Sequence, residues 1–126
     1  EQNDTNVLIA YADSGFGTPR SQGCSLIMMN GGAISMSSKR HTTTDDSTTA
    51  AELTQLHLCA CEVMGLRNLM DECGLHQELP TIIFHDNKPA VQIALNRGAL
   101  SQMTISLCLR LLSVRNNIEY GFIYPC

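Results

Sequence analysis

The chain has 126 residues, 44% hydrophobic and 16% charged, a length and balance that predict one domain, 1–126, with its own core. Eight Lys and Arg against twelve Asp and Glu leave a net charge of −4, the wrong sign for a domain that grips a phosphate backbone through its own field. No apolar run approaches the roughly 20 residues of a membrane span. The six cysteines include no C-x2-C pair, which argues against a zinc site or a disulfide scaffold and for reduced thiols in an intracellular, reducing compartment.

Val7 to Ala12, ending at Asp13, predicts a mostly buried strand, stopped by the breaker cluster Ser14-Gly15-Phe16-Gly17-Thr18-Pro19. Leu26 to Met29 and Ala33 to Lys39 predict two more strands. Asn30-Gly31 between them is a hairpin signal, because both central turn residues must accept positive φ. His41 to Thr44 reads as a polar loop, with His41 expected at the surface. Asp45, Asp46 and Ser47 then offer caps for a long helix from about Thr49 to Cys73, which Gly74 closes in a left-handed conformation.

The apolar stripe of that helix is Leu56, Cys59, Val63, Leu66 and Met70. One step toward the N-terminus it meets Glu52, a carboxylate at the head of a core-facing stripe. Thr81 to Phe84 predicts a second mostly apolar strand, ending His85-Asp86-Asn87. A helix starting at Pro89, another from about Thr104 to Asn116, and a last strand from Glu119 to Tyr124 complete the reading. The order β-β-β-α-β-α-α-β predicts an α/β fold, a mixed five-stranded sheet with helices packed on it.

Two strands from different parts of the chain thus end in Asp13 and Asp86, and functional groups collect beyond the carboxyl ends of strands in open sheets. Glu52 is placed to meet them. Carboxylates about 4 Å apart repel by roughly 4 kcal/mol at an effective dielectric near 20. The remedies are a raised pKa or a divalent cation, and oxygen-only ligands suit Mg²⁺ or Mn²⁺. Each acid also has an ordinary structural reading: Asp13 as a turn former, Asp86 as a helix cap, Glu52 as a partner of the helix dipole. His41, in a loop, and His85, beside Asp86, are candidate proton shuttles, although a surface position is the expectation for both.

The motifs Tyr11-Ala12-Asp13-Ser14, Asn30-Gly31-Gly32-Ala33-Ile34-Ser35, Ser47-Thr48-Thr49-Ala50-Ala51-Glu52-Leu53 and Asp86-Asn87-Lys88-Pro89-Ala90 occur in a telling order. With Leu66-Arg67-Asn68-Leu69, Leu109-Arg110 and Val114-Arg115, they make the chain resemble the ribonuclease H domain of copia-type LTR retrotransposon reverse transcriptases. The resemblance implies a ribonuclease H-like fold. It also implies that Asp13, Glu52 and Asp86 are the first three acids of a four-acid, two-metal site that hydrolyses RNA in RNA/DNA hybrids. Lys39, Arg40, Asn87 and Lys88 are the nucleic-acid contacts expected, with Arg97, Arg110 and Arg115 also available to phosphates.

The chain also departs from that family. Ser106 and Cys108 stand where the family motif has His and Asp, Phe16 and Met36 replace tryptophans, and Lys88 replaces a glutamine. The resemblance implies a helix after the last strand that supplies the fourth aspartate. The sequence ends at Tyr124-Pro125-Cys126, so this C-terminal helix is expected to be missing. Three carboxylates against two divalent ions leave the site one charge short, so one ion should bind weakly. Two functions are therefore expected from the residues: a Mg²⁺- or Mn²⁺-dependent hybrid ribonuclease helped by a tethered polymerase, or a catalytically decayed copy retained among protein partners in a larger complex.

Overall fold

The computed structural model describes residues 6–15, 20–41, 47–96 and 105–126. Strands β1 (Leu8–Gly15), β2 (Gln22–Met29) and β3 (Gly32–Arg40) are followed by helix α1 (Thr48–Glu72), strand β4 (Thr81–His85), helices α2 (Lys88–Leu95) and α3 (Ile105–Glu119), and strand β5 (Ile123–Pro125). The sheet order is β3-β2-β1-β4-β5. The three N-terminal strands run antiparallel in a meander, and β4 and β5 join parallel to β1. The expected order and mixed five-stranded sheet are both present.

Local chemistry explains each boundary. Asn30 and Gly31 have φ of 55° and 81°, which two-residue hairpins require. Ser47 caps α1 by accepting from the Ala50 amide at 3.1 Å. At the other end Gly74, with φ of 81°, lets the amides of Gly74 and Leu75 return to the carbonyls of Asp71 and Met70. Asn87, not Asp86, caps α2, accepting from Ala90 at 3.0 Å. Asp45, Asp46, Phe16, Gly17 and Arg97 lie outside the described residues.

Leu8, Ala10 and Ala12 of β1, Ile27 of β2 and Ile83 of β4 form the sheet side of the core. Leu53, Leu56, Cys59, Ala60 and Val63 of α1 meet them. The small residues at 10, 12, 51, 60, 90 and 94, all alanine and all buried, let helices approach closely. The N-terminal half of α1 is buried on every side from Ala50 to Leu56, because the sheet, α2 and α3 all pack around it. An amphipathic stripe describes only its later turns, where Leu66 is half-buried and Arg67 is buried instead.

The expectation of mostly buried strands is corrected. In β1 and β4 burial alternates strictly through the apolar stretch, so only one face is covered. Ile9, Tyr11, Ile82, Phe84 and Tyr124, with Met36 of β3, remain exposed on the opposite face. The cause is the position of the helices, which contact the buried parity of each strand. A continuous apolar run signals burial on two faces, but here it accompanies burial on one.

Candidate active site

Parity decides where the acids stand. Asp13 and Asp86 share the register position of the uncovered face, at the carboxyl ends of β1 and β4. β1 itself continues past Asp13 to Gly15. Glu52 arrives from the helix side, on the fully buried half of α1, and is 4% exposed. The three acids therefore converge on the rim of the sheet from both faces.

One ligand atom each of Glu52, His85 and Asp86 lies within 4.8 Å of the others. Asp13 stands outside that group, with its Oδ1 accepting from the Ser14 amide at 2.9 Å, in the local turn contact its position suggests. It is nevertheless close enough to act electrically. The Glu52 carboxyl is pushed up to about 7, by burial first and then by the charges of Asp13 and Asp86.

His85 is the member that the residue-by-residue reading underrated. It is buried, not at the surface. The signal lay in the parity of Thr81-Ile82-Ile83-Phe84-His85, which turns Thr81, Ile83 and His85 toward the helices. Its Nδ1 accepts the Asn87 amide at 3.2 Å, so the neutral ring carries its proton on Nε2. That N–H faces the Glu52 carbonyl at 3.3 Å. Burial lowers the imidazole pKa, against the opposing influence of the Glu52 carbonyl, Asp86 and Asp13, which favours the neutral ring.

Glu52 Oε2 lies 3.0 Å from the same nitrogen yet has no hydrogen-bond donor, because the imidazole proton is directed elsewhere. A buried acceptor left in this way is costly, and a cation would satisfy it. Hard oxygen donors from Glu52 and Asp86, with Asp13 alongside, match the preference of Mg²⁺ or Mn²⁺. The residues present thus fit such an ion.

His41 is buried as well, correcting its expected surface position, and its Nε2 lies 3.1 Å from Gln55 Oε1 of α1. The expected basic contacts divide into two groups. Lys39 and Arg40 occupy the cross-sheet rows of Ser14 and Gly15, two strand spacings or about 10 Å away, and both are exposed. Lys88 is exposed at the start of α2, beside Asp86, while the Asn87 side chain is engaged in capping. Arg110 donates to Thr54 Oγ1 at 3.3 Å and Arg115 to the Ile93 carbonyl at 2.9 Å, so both are tied into the interior packing of the helices. Ser106 and Cys108 sit in the first turn of α3.

On the uncovered face a groove of about 600 Å³ leads up to the acids, lined by Tyr11, Asp13, Cys24, Met36, Phe84 and Asp86. The rings of Tyr11 and Phe84 stack on its floor with centroids 5.3 Å apart.

No protein-family model matches the sequence, and no curated protein matches it. Solved structures do. LC11-RNase H1 in complex with an RNA/DNA hybrid superposes with a TM-score of 0.66 at 14% identity, covering 94% of this chain and 83% of that one. The N-terminal RNase H domain of a Mycobacterium tuberculosis protein, fused to maltose binding protein, gives 0.62 at 13% identity over 96% and 79%. RNase H1 from the halophilic archaeon Halobacterium salinarum gives 0.65 at 11% identity over 94% and 80%. At these identities the likeness is one of architecture, and the chain has the ribonuclease H-like fold.

Proposed function

We propose that the chain is the ribonuclease H domain of a copia-type retroelement reverse transcriptase, acting on the RNA strand of RNA/DNA hybrids. The observation that carries this reading is the convergence of Glu52 and Asp86, with Asp13 alongside, around a buried acceptor that lacks a donor. The likeness to LC11-RNase H1, whose structure contains an RNA/DNA hybrid, supports the choice of substrate.

Asp13, Glu52 and Asp86 would hold Mg²⁺ or Mn²⁺, which supplies polarisation of a phosphoryl oxygen and acidification of a bound water. The chain's own residues perform the rest. Glu52 holds its proton and its charge in balance near pH 7, with a pKa of about 7, and would stand ionised as a ligand to a cation. His85 stays neutral and holds the Glu52 backbone through its Nε2–H. Lys88 on one side and Lys39 and Arg40 on the other offer positive charge to phosphates crossing the rim. Three carboxylates would balance one divalent ion and half of a second, so a second would be held weakly. With a net charge of −4, affinity for the hybrid depends on a tethered polymerase domain that raises the local concentration.

Cleavage of a labelled RNA/DNA hybrid in Mg²⁺ or Mn²⁺ tests the proposal, with Asp86→Asn as control. Cleavage products ending in a 3′-hydroxyl and a 5′-phosphate, lost in the variant, are expected. Equal signal from both proteins rejects the assignment. Cation binding without cleavage of a tethered substrate would instead identify the chain as a decayed copy, serving as a folded subunit of a larger complex.

A further inference from the structure

Beside the acids runs a buried polar chain that no step above uses. His41 Nε2 lies 3.1 Å from Gln55 Oε1, and Gln55 Nε2 donates to Ser25 Oγ at 2.6 Å. All three residues are at most 3% exposed. They join three elements. His41 directly follows β3 and is tied by its amide to the Ser21 carbonyl at 2.7 Å, Ser25 belongs to β2, and Gln55 belongs to α1. Gln55 lies one turn beyond Glu52, while Ser25 pairs across the sheet with Ala12, next to Asp13.

Gly23 completes the arrangement. A Cβ at this position would stand 1.8 Å from Gln55 Oε1, 2.6 Å from Gln55 Cδ and 2.6 Å from His41 Nε2. The amide of a free glutamine would simply swing away. This one is buried and held at both ends, so any side chain at position 23 breaks the bonds that hold it.

We infer that Gly23, Ser25, His41 and Gln55 form a positioning clamp that sets the register of α1 against the sheet and so delivers the Glu52 carboxylate to the rim where Asp13 and Asp86 stand. The inference rests on the reading of those acids as a cation site. Apolar contacts such as those of Leu53 and Leu56 change little when a helix slides by a fraction of a turn. Hydrogen bonds of 2.6 and 3.1 Å do not tolerate the slide. A slip of one residue moves a helix by about 1.5 Å, whereas ligand constellations need placement within roughly 0.5 Å.

The test uses Gln55→Leu, which keeps the volume of the side chain and removes both bonds, with Ser25→Ala and Gly23→Ala beside it. Mn²⁺ affinity is read by electron paramagnetic resonance well below each variant's melting temperature, so loss of fold and loss of placement separate. Gln55→Leu is expected to bind Mn²⁺ about 10-fold or more weakly, the usual effect of removing support from a ligand. Gly23→Ala should do the same, and combining it with Gln55→Ala should not restore affinity, because the clash with Gln55 goes but so do both of its bonds. Unchanged affinity in folded Gln55→Leu overturns the clamp. If the wild-type chain binds no Mn²⁺, the cation reading fails, and the clamp is judged by metal-free nuclear Overhauser contacts between the His85 ring and the Glu52 backbone, which a slide of α1 would alter. Displaced contacts in Gln55→Leu or Ser25→Ala uphold it, and unchanged ones reject it.

Discussion

Glu52 Oε2 sits 3.0 Å from His85 Nε2, but the proton of that nitrogen is directed to the Glu52 carbonyl. The pair therefore holds a carboxylate in place without neutralising it. Ser14 meets part of its charge, and the rest is left to a proton or to a cation, which compete.

Glu52→Gln separates these alternatives. The amide removes a buried charge whose Oε2 has no donor, so the metal-free variant should be more stable than wild type by about 1–2 kcal/mol near pH 8. It should also lose the increase in melting temperature that Mg²⁺ or Mn²⁺ gives the wild-type protein, since only binding to the native state stabilises it. Differential scanning fluorimetry with and without cation reads both effects. A cation shift of wild-type size in Glu52→Gln would remove this residue from the site.

The pH dependence follows from the same carboxyl. Its pKa is raised from 4.5 to about 7, so the folded state binds the proton more tightly than the unfolded chain. The stabilisation this gives is complete below about pH 4.5 and is lost as pH rises through about 7. His85 acts in the opposite sense: its lowered pKa gives stability present above 6.5 and lost as pH falls through the folded value. The difference between Glu52→Gln and wild type isolates the carboxyl. That difference should favour the variant increasingly from pH 5 to pH 8 in urea denaturation without cation, and shrink when Mn²⁺ is added. A difference that is flat across this interval would mean that Glu52 is ionised in the fold throughout.

The element order was legible because its signals are local. Asn30-Gly31, Ser47 and Gly74 each act within a few residues, and all three adopt the predicted conformations. Glu52 was legible because the helical period carries it onto the core side. The sidedness of the sheet was not legible, since Val7 to Ala12 reads as apolar throughout although only Leu8, Ala10 and Ala12 are buried. That depends on where distant helices land. His41 illustrates the same limit: the partner of its buried ring, Gln55, lies 14 residues later on α1. Arg110 and Arg115 read as available charges until their tertiary partners are known.

The cysteines give an independent check on packing. Cys59 is fully buried, and its thiol is pushed up to about 12, chiefly by that burial. Cys24, Cys73 and Cys126 are exposed, as is Cys61, whose pKa is raised by partial burial and by Glu62. Because the thiolate is the reactive form, a disulfide reagent near pH 8 should modify Cys24, Cys73 and Cys126 first and Cys61 more slowly. Cys59 should react only at the rate of global opening. Peptide mapping after timed labelling distinguishes them, and labelling of Cys59 as fast as Cys73 would contradict the packing of α1 on the sheet.

Arg67 provides the last prediction, at the far end of the sheet from the acids. Its guanidinium donates to the carbonyls of Leu79 and Gln77 at 3.0 Å each and to Thr81 Oγ1 at 2.8 Å. It also lies 5.8 Å from the Phe122 ring centre. These contacts fasten α1 to the segment that enters β4 and to the one that enters β5. Arg67→Met keeps the apolar stem but leaves those acceptors without a donor, and should cost about 2–4 kcal/mol in urea denaturation. Arg67→Lys should recover little of this, since one ammonium cannot reproduce the planar fork that reaches three acceptors. Thr81 and Asp86 are separated along β4 by about 16 Å, so cation affinity in the folded variants should stay at the wild-type value. A variant that loses cation affinity while keeping its stability would show that Arg67 acts on the acid cluster and not on the anchoring of the strands.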